Sequence, residues 1–143
     1  MLERRHLSGA ELELWAIPIA RCRGAIEALR QPLDADERSR AERFRHAADR
    51  ELYVVSHGAL RGILAAYLPA DPASLRFRVA EQGKPALIPE PGWPDLRFNL
   101  SHTRGMALCA VAVGREVGVD VEWIDAASSH LRSEEHTSEL QSR

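Results

Sequence analysis

The sequence is poor in several features that would point to particular classes of protein. Only two of its 143 residues are cysteine, Cys22 and Cys109, and they form no Cys-x-x-Cys pair. We therefore expect reduced thiols in a cytoplasmic protein, with a disulfide as the alternative. The charged first residues lack the apolar run of a secretory signal, and no later segment reaches the length of a membrane span.

An excess of charge of one sign is also missing. The formal net charge is −2, although 28% of the residues are charged. Such a balance gives no broad basic surface, so we expect no nucleic-acid partner. The chain also lacks a P-loop and a Gly-x-Ser-x-Gly elbow, which argues against P-loop enzymes and many serine hydrolases. Hydrophobic residues make up 45% of the sequence, enough for the core of one domain.

The distribution of apolar residues predicts helices followed by an antiparallel sheet, and therefore an α+β fold. Partial alternation over residues 11–19 predicts a strand, with Pro18 at its end or at a sheet edge. Asp34 is a suitable N-cap for a polar helix. A second helix is predicted over residues 48–67, because apolar side chains recur there at spacings of three to five.

The second half of the sequence is typical of strands and turns. Alternation predicts a strand over residues 75–79, and residues 81–85 have the composition of a turn. Three further strands are predicted in LRFNL, MALCAVAV and VGVDVEW. The last two are expected to pair through a hairpin-like connection at residues 114–116.

The C-terminal residues do not continue this pattern. Residues 132–142 read RSEEHTSELQS and match, residue for residue, the translation of a common sequencing-library adapter. We therefore expect residues 1–131 to form the genuine domain and residues 132–143 to be an artefactual tail. A disordered polar terminus is the alternative.

Two carboxylates in Gly-Val-Asp-Val-Glu are the first candidates for chemistry. On a strand, Asp120 and Glu122 share a face, because side chains at i and i+2 point the same way. Paired hard oxygen ligands suit Mg²⁺, which completes its shell with water and substrate phosphate. A solvated strand face with two acids is the alternative, and the spacing by itself favours it.

Two further motifs carry polar side chains that could meet an anion. FNLSHT places Asn99, Ser101 and His102 at the end of a strand. A turn of satisfied polar side chains is the alternative, and the motif by itself favours it. In Gly-Lys-Pro, the neighbouring glycine and proline limit where the ammonium of Lys84 can go. The arginines of the first helix, among them Arg40, are by themselves typical of a solvated face.

Taken together, these motifs resemble the 4'-phosphopantetheinyl transferase superfamily, of the surfactin-synthetase-activating type. The segments that carry the resemblance are ERFRHAADRELYVVSHGALRGILAAYL, EQGKPAL, FNLSHT and VGVDVEW, in this order. The resemblance implies the fold of that family, with this chain forming the first half and the start of the second half of a pseudo-dimer. It also implies holo-[acyl-carrier-protein] synthase activity, in which the 4'-phosphopantetheine of coenzyme A moves to a serine of an apo carrier protein. Adenosine 3',5'-bisphosphate is released.

The resemblance also assigns roles to individual residues. Asp120 and Glu122 are implied as catalytic Mg²⁺ ligands. Coenzyme A is implied as co-substrate, with its adenosine end and 3'-phosphate contacted by a set of four residues. These are Arg40, Lys84, Ser101 and His102.

The sequence departs from the family in one respect. A later segment of the form W-x-x-K-E-x-x-x-K, which in the family provides a third metal-binding glutamate, does not occur here. We therefore expect this chain to be an inactive fragment of an enzyme that works as a monomer at full length. A coenzyme A-binding module without transferase activity is the alternative. An unrelated Mg²⁺-dependent phosphotransferase would need phosphate-cradling glycines that are missing.

Overall fold

A computed structural model describes residues 2–8, 11–122 and 124. Within this part of the chain, helices pack on antiparallel sheets, as expected for an α+β fold. The strands are β1 Leu12–Pro18, β2 Phe77–Val79, β3 Pro85–Leu87, β4 Leu96–Thr103 and β5 Met106–Val113. The helices are α1 Ile19–Cys22, α2 Ile26–Arg30, α3 Ala35–Glu42 and α4 Ala47–Ala66. No helix of the described residues is long and apolar enough to cross a lipid bilayer.

The main sheet has three strands in the order β1-β5-β4, and both pairs are antiparallel. Strand β5 lies in the centre, and its six inner residues, all small or apolar, are buried. β1 is an edge strand of the described sheet, and its last residue is Pro18, as predicted. Among the described residues no strand on its outer side requires the missing N–H. The sheet thus joins the start of the chain to its later hairpin.

The core lies between this sheet and α4. The predicted apolar face of α4 is confirmed: Val55, Leu60, Ile63 and Leu64 are all buried. They belong to one hydrophobic cluster with side chains of β1 and β5, including Cys109. Burial of such side chains stabilises the domain, by about 1.5–3 kcal/mol for each large one. Both cysteines are free thiols.

Helix α3 begins with a capping box that is connected to the core. Asp34 accepts a hydrogen bond from the backbone N–H of Glu37, and the Glu37 side chain accepts one from the N–H of Asp34. The guanidinium of Arg61 on α4 is fully buried and donates to both carboxylates, at 2.8 Å to Glu37 and 3.2 Å to Asp34. It also donates to the carbonyls of Pro72 and Leu75. A single arginine therefore ties α3, α4 and the approach to β2 together.

Two predictions from the sequence need correction. Residues 20–30, for which no element was predicted, form the short helices α1 and α2 with a 3₁₀ turn between them. The predicted hairpin between MALCAVAV and VGVDVEW is wrong, because β1 and β4 already occupy both edges of β5. Residues 117–122 are not assigned to any strand. The predicted tail, residues 132–143, lies outside the described residues. So does the predicted second half, except for residues 117–122 and 124.

Candidate functional site

The segment that carries the two carboxylates lies along β4, fixed by side chains of that strand. Oδ1 of Asn99 accepts a hydrogen bond from the N–H of Val119 at 2.9 Å. Oγ of Ser101 accepts one from the N–H of Val121 at 3.2 Å. The Ser101 hydroxyl also lies 3.4 Å from Oδ1 of Asp120, to which it can donate. Two motifs predicted separately from the sequence are therefore in direct contact.

The serine and histidine of FNLSHT leave β4 on opposite faces, because neighbouring residues of a strand alternate. Ser101 is on the face that meets residues 119–121. His102 shares its face with Phe98 and Leu100, which pack against the core. The structure therefore separates two residues that were expected to serve one ligand together.

His102 belongs instead to a charged group built by three elements. His57 of α4 is largely buried and stacks on Tyr53, with ring centroids 4.1 Å apart. Burial, and to a smaller extent the electrostatic influence of His102, Arg40 and Arg61, lower the pKa of His57 to about 4. Arg40 of α3 and His102 of β4 thus face the same imidazole, which is neutral at pH 7.

Lys84 lies at the turn of the β2–β3 hairpin. Gly83 has φ +77°, a conformation that suits glycine, and the N–H of Ala80 bonds the carbonyl of Lys84 at 2.7 Å. The exposed lysine borders a groove of about 840 Å³ between this hairpin and β4. The same groove is lined by Asn99 and Gly118, so it reaches the start of the carboxylate segment.

The predicted ligand residues therefore do not form a single cluster. Lys84 lines the groove, whereas Arg40, Ser101 and His102 do not. Ser101 contacts Asp120, and Arg40 and His102 act on His57. Strand β4 connects these three places. It contributes Asn99 to the groove, Ser101 to the contact with Asp120, and His102 to the surroundings of His57.

The donor set of Asp120 and Glu122 suits a hard divalent cation. Both residues are exposed, and Asp120 keeps an oxygen that Ser101 does not approach. Within the described part of the chain, no group of three or more histidine, cysteine or acidic side chains could hold a metal ion. The two carboxylates fit a Mg²⁺ ion that takes its remaining ligands from water and substrate phosphate.

Three residues of this region received no role from the sequence. Asn99 was noted only as part of a polar cluster, and its partner Val119 lies 20 residues away. His57 and Arg61 are within the α4 pattern, where polar residues normally face solvent. The spacing Asp34-x-x-Glu37 could have shown the capping box, but not that a buried arginine joins it.

Comparison with known proteins agrees with the fold and the motifs. A family profile described as "4'-phosphopantetheinyl transferase, N-terminal" matches residues 21–113. The 4'-phosphopantetheinyl transferase HetI of Nostoc is 36% identical over 118 residues, which cover 82% of this chain and 50% of that protein. A 4'-phosphopantetheinyl transferase of Bacillus subtilis is 31% identical over 99 residues, which cover 69% of this chain and 42% of that protein.

Two solved structures share the fold. A holo-(acyl-carrier-protein) synthase from Bacillus anthracis, in complex with CoA (3',5'-ADP), superposes with a TM-score of 0.53 at 16% identity. The match covers 71% of this chain and 93% of that one. Helicobacter pylori holo-[acyl-carrier-protein] synthase, in complex with coenzyme A, superposes with a TM-score of 0.52 at 15% identity. That match covers 73% of this chain and 100% of the other.

The profile match and the shared α+β fold together place this unit among the phosphopantetheinyl transferases. This chain belongs to the 4'-phosphopantetheinyl transferase family. It spans about half the length of the curated relatives that it matches, 50% of the Nostoc protein and 42% of the Bacillus one.

Proposed function

We propose that this chain supplies the coenzyme A-binding and Mg²⁺-binding part of a holo-[acyl-carrier-protein] synthase. The complete enzyme transfers 4'-phosphopantetheine from coenzyme A to a serine of an apo carrier protein and releases adenosine 3',5'-bisphosphate. Membership of the family supports the reaction class. The observation that carries the proposal is the contact of Ser101 with Asp120, since it joins the family's two central motifs at one place.

Asp120 and Glu122 would hold the Mg²⁺ ion. Their oxygens are the ligands that this ion prefers, and their exposure leaves room for substrate oxygens. When bound, Mg²⁺ stabilises negative charge on the pyrophosphate of coenzyme A, where the bond to the leaving group breaks. The two carboxylates would act through the ion that they hold, because its position decides where that negative charge is stabilised.

Arg40, Lys84, Ser101 and His102 would bind the adenosine end and the 3'-phosphate. Lys84 is exposed beside a groove that also contains Trp93 and Phe98, which suits an aromatic base next to an anion. Arg40 and His102 both lie close enough to His57 of α4 to act on it electrostatically. Charge-assisted hydrogen bonds from such groups supply binding energy and orientation rather than bond-making.

The remaining parts of the proposal concern the whole protein. The partners are coenzyme A and an apo acyl or peptidyl carrier protein, and the compartment is the cytoplasm. The full-length enzyme is proposed to act as a monomer. The chain of 143 residues is proposed to be inactive by itself, because it contains no W-x-x-K-E-x-x-x-K segment with a third metal-binding glutamate.

A chimera tests this proposal. Residues 1–122 would replace the matching part of the Nostoc relative, and transfer of fluorescent coenzyme A to an apo carrier would be measured. We expect Mg²⁺-dependent transfer by the chimera, loss of at least about 100-fold in Asp120→Ala, and none by the 143-residue chain alone.

Glu90→Gln provides the control for loss of a negative charge at another exposed position. It should leave transfer unchanged. Full activity of the Asp120→Ala chimera would contradict the metal assignment. Binding of coenzyme A by a folded chimera that transfers nothing would favour a binding module instead.

A further inference from the structure

Residues 117–121 are held by side chains rather than by a strand ladder. In the described structure no backbone-to-backbone hydrogen bond ties these residues to the sheet. The N–H groups of Val119 and Val121 instead donate to Asn99 and Ser101. Both pairs are 20 residues apart, so the segment runs parallel to β4. Asn99 and Ser101 share one face of β4 and therefore act as two successive anchors for the backbone of this segment.

The anchored amides lie on either side of Asp120. Fixing the backbone at Val119 and at Val121 restricts the directions in which the carboxylate between them can point. Ser101 uses both capacities of its hydroxyl here, accepting from Val121 and donating toward Asp120. Asn99 uses its carbonyl oxygen for Val119, and among the hydrogen bonds of the described residues it has none to the carboxylate of Asp120. Asn99 therefore acts on Asp120 through the backbone of the segment.

We propose that Asn99 is a positioning residue for the metal-binding carboxylates, with Ser101 as the second anchor of the same segment. This inference rests on the proposed function, since it presumes that Asp120 and Glu122 bind a divalent cation. Ordering of this kind matters because two carboxylates bind one ion well only when their spacing is fixed in advance. Loss of a residue that orients a ligand typically lowers metal affinity about 10- to 100-fold.

A purely structural role for Asn99 predicts different behaviour. In that case its replacement would change stability, but the affinity for a cation would stay the same. Two variants separate the possibilities. Asn99→Leu keeps similar volume and removes the acceptor, whereas Asn99→Asp keeps an oxygen at the position that Val119 contacts.

The experiment uses the 143-residue chain and has two readouts. Amide hydrogen exchange by NMR reports protection of the Val119 N–H, with Ala110, the β5 neighbour of Asn99, as the internal probe of the fold. Mn²⁺ is the probe of the metal site, and its binding is followed by the loss of the free-ion EPR signal. Asn99→Ala serves as a second deletion variant if the leucine variant does not keep Ala110 protected.

We expect Asn99→Leu to lose protection at Val119, to keep it at Ala110, and to bind Mn²⁺ about tenfold more weakly. Asn99→Asp should retain both the protection and the binding. Unchanged Mn²⁺ affinity in a leucine or alanine variant that has lost Val119 protection would overturn the positioning role. If the unsubstituted chain binds no Mn²⁺, the proposed metal site fails, and the positioning role fails with it.

Discussion

His57 is a largely buried imidazole beside basic side chains from three elements. Arg40 comes from α3, Arg61 from α4 itself and His102 from β4, while the carboxylate of Glu37 lies 4.0 Å from Nδ1. Burial is the largest cause of the low pKa, which is about 4 against an ordinary value of 6.5. Burial and the nearby basic side chains together disfavour a proton on His57.

The free energy of unfolding should therefore depend on pH through His57. Between pH 6.5 and pH 4 the unfolded chain binds a proton that the folded chain does not, so stability falls as the pH is lowered. The slope from one such group is at most about 1.4 kcal/mol per pH unit. We expect His57→Gln to lose less stability between pH 7 and pH 5 than the unsubstituted chain, as measured by urea unfolding.

His6, which is exposed, provides the matched control for this experiment. His6→Gln should show the same pH dependence as the unsubstituted chain. An unaltered slope in His57→Gln would show that the imidazole is not the group responsible.

At the scale of single residues, the candidate metal ligands could be predicted from the sequence, but their surroundings could not. Asp120 and Glu122 could be selected only together with the other motifs, because their spacing by itself favours a solvated strand face. Asn99 could not be assigned a role, since its partner depends on which segment lies next to β4. His57 is likewise defined by charges that three separate elements bring together.

Among the helices, the contact between α2 and α4 depends on one glycine. A Cβ atom at Gly58 would lie 2.1 Å from the carbonyl oxygen of Leu29 and 2.9 Å from its Cβ. Such overlap with backbone cannot be relieved by a side-chain rotation. The two helices can approach this closely only because position 58 carries no side chain.

Gly58→Ala should accordingly destabilise the domain by about 1–3 kcal/mol, despite the better helix propensity of alanine. Gly62, on the same helix, has no atom within 4 Å of an added Cβ. Gly62→Ala should therefore stabilise the domain by about 0.5–1 kcal/mol. Thermal and urea unfolding of the two variants measure both effects, and equal shifts for the two would contradict the described α2–α4 contact.

Long periodic elements could be predicted, whereas the choice of neighbours could not. Helix α4 and strands β4 and β5 were recognised because their apolar pattern covers eight residues or more. The segment VGVDVE alternates between apolar and polar residues as a strand does. The same alternation also suits an extended segment that is held by hydrogen bonds from side chains, as it is here. The four-residue and five-residue helices α1 and α2 are too short to show a period.

At the scale of the whole molecule, the order of elements explains how the site is built. β1 at the start of the chain and the β4–β5 hairpin near its described end form one sheet, and α4 packs on it. The helices on one side provide Arg40, and the β2–β3 hairpin provides Lys84. The α+β class followed from the sequence, but the proximity of these residues to β4 is a property of the folded unit.

We propose above all that this unit recognises the 3'-phosphate of coenzyme A. Isothermal titration of the 143-residue chain, shown to be folded by circular dichroism, should compare coenzyme A with 3'-dephospho-coenzyme A. We expect coenzyme A to bind at least about tenfold more tightly, as hydrogen bonds to a charged group imply, and Lys84→Met together with Arg40→Met to remove most of this difference. Equal affinity of the folded chain for the two compounds, or no binding of either, would contradict the account.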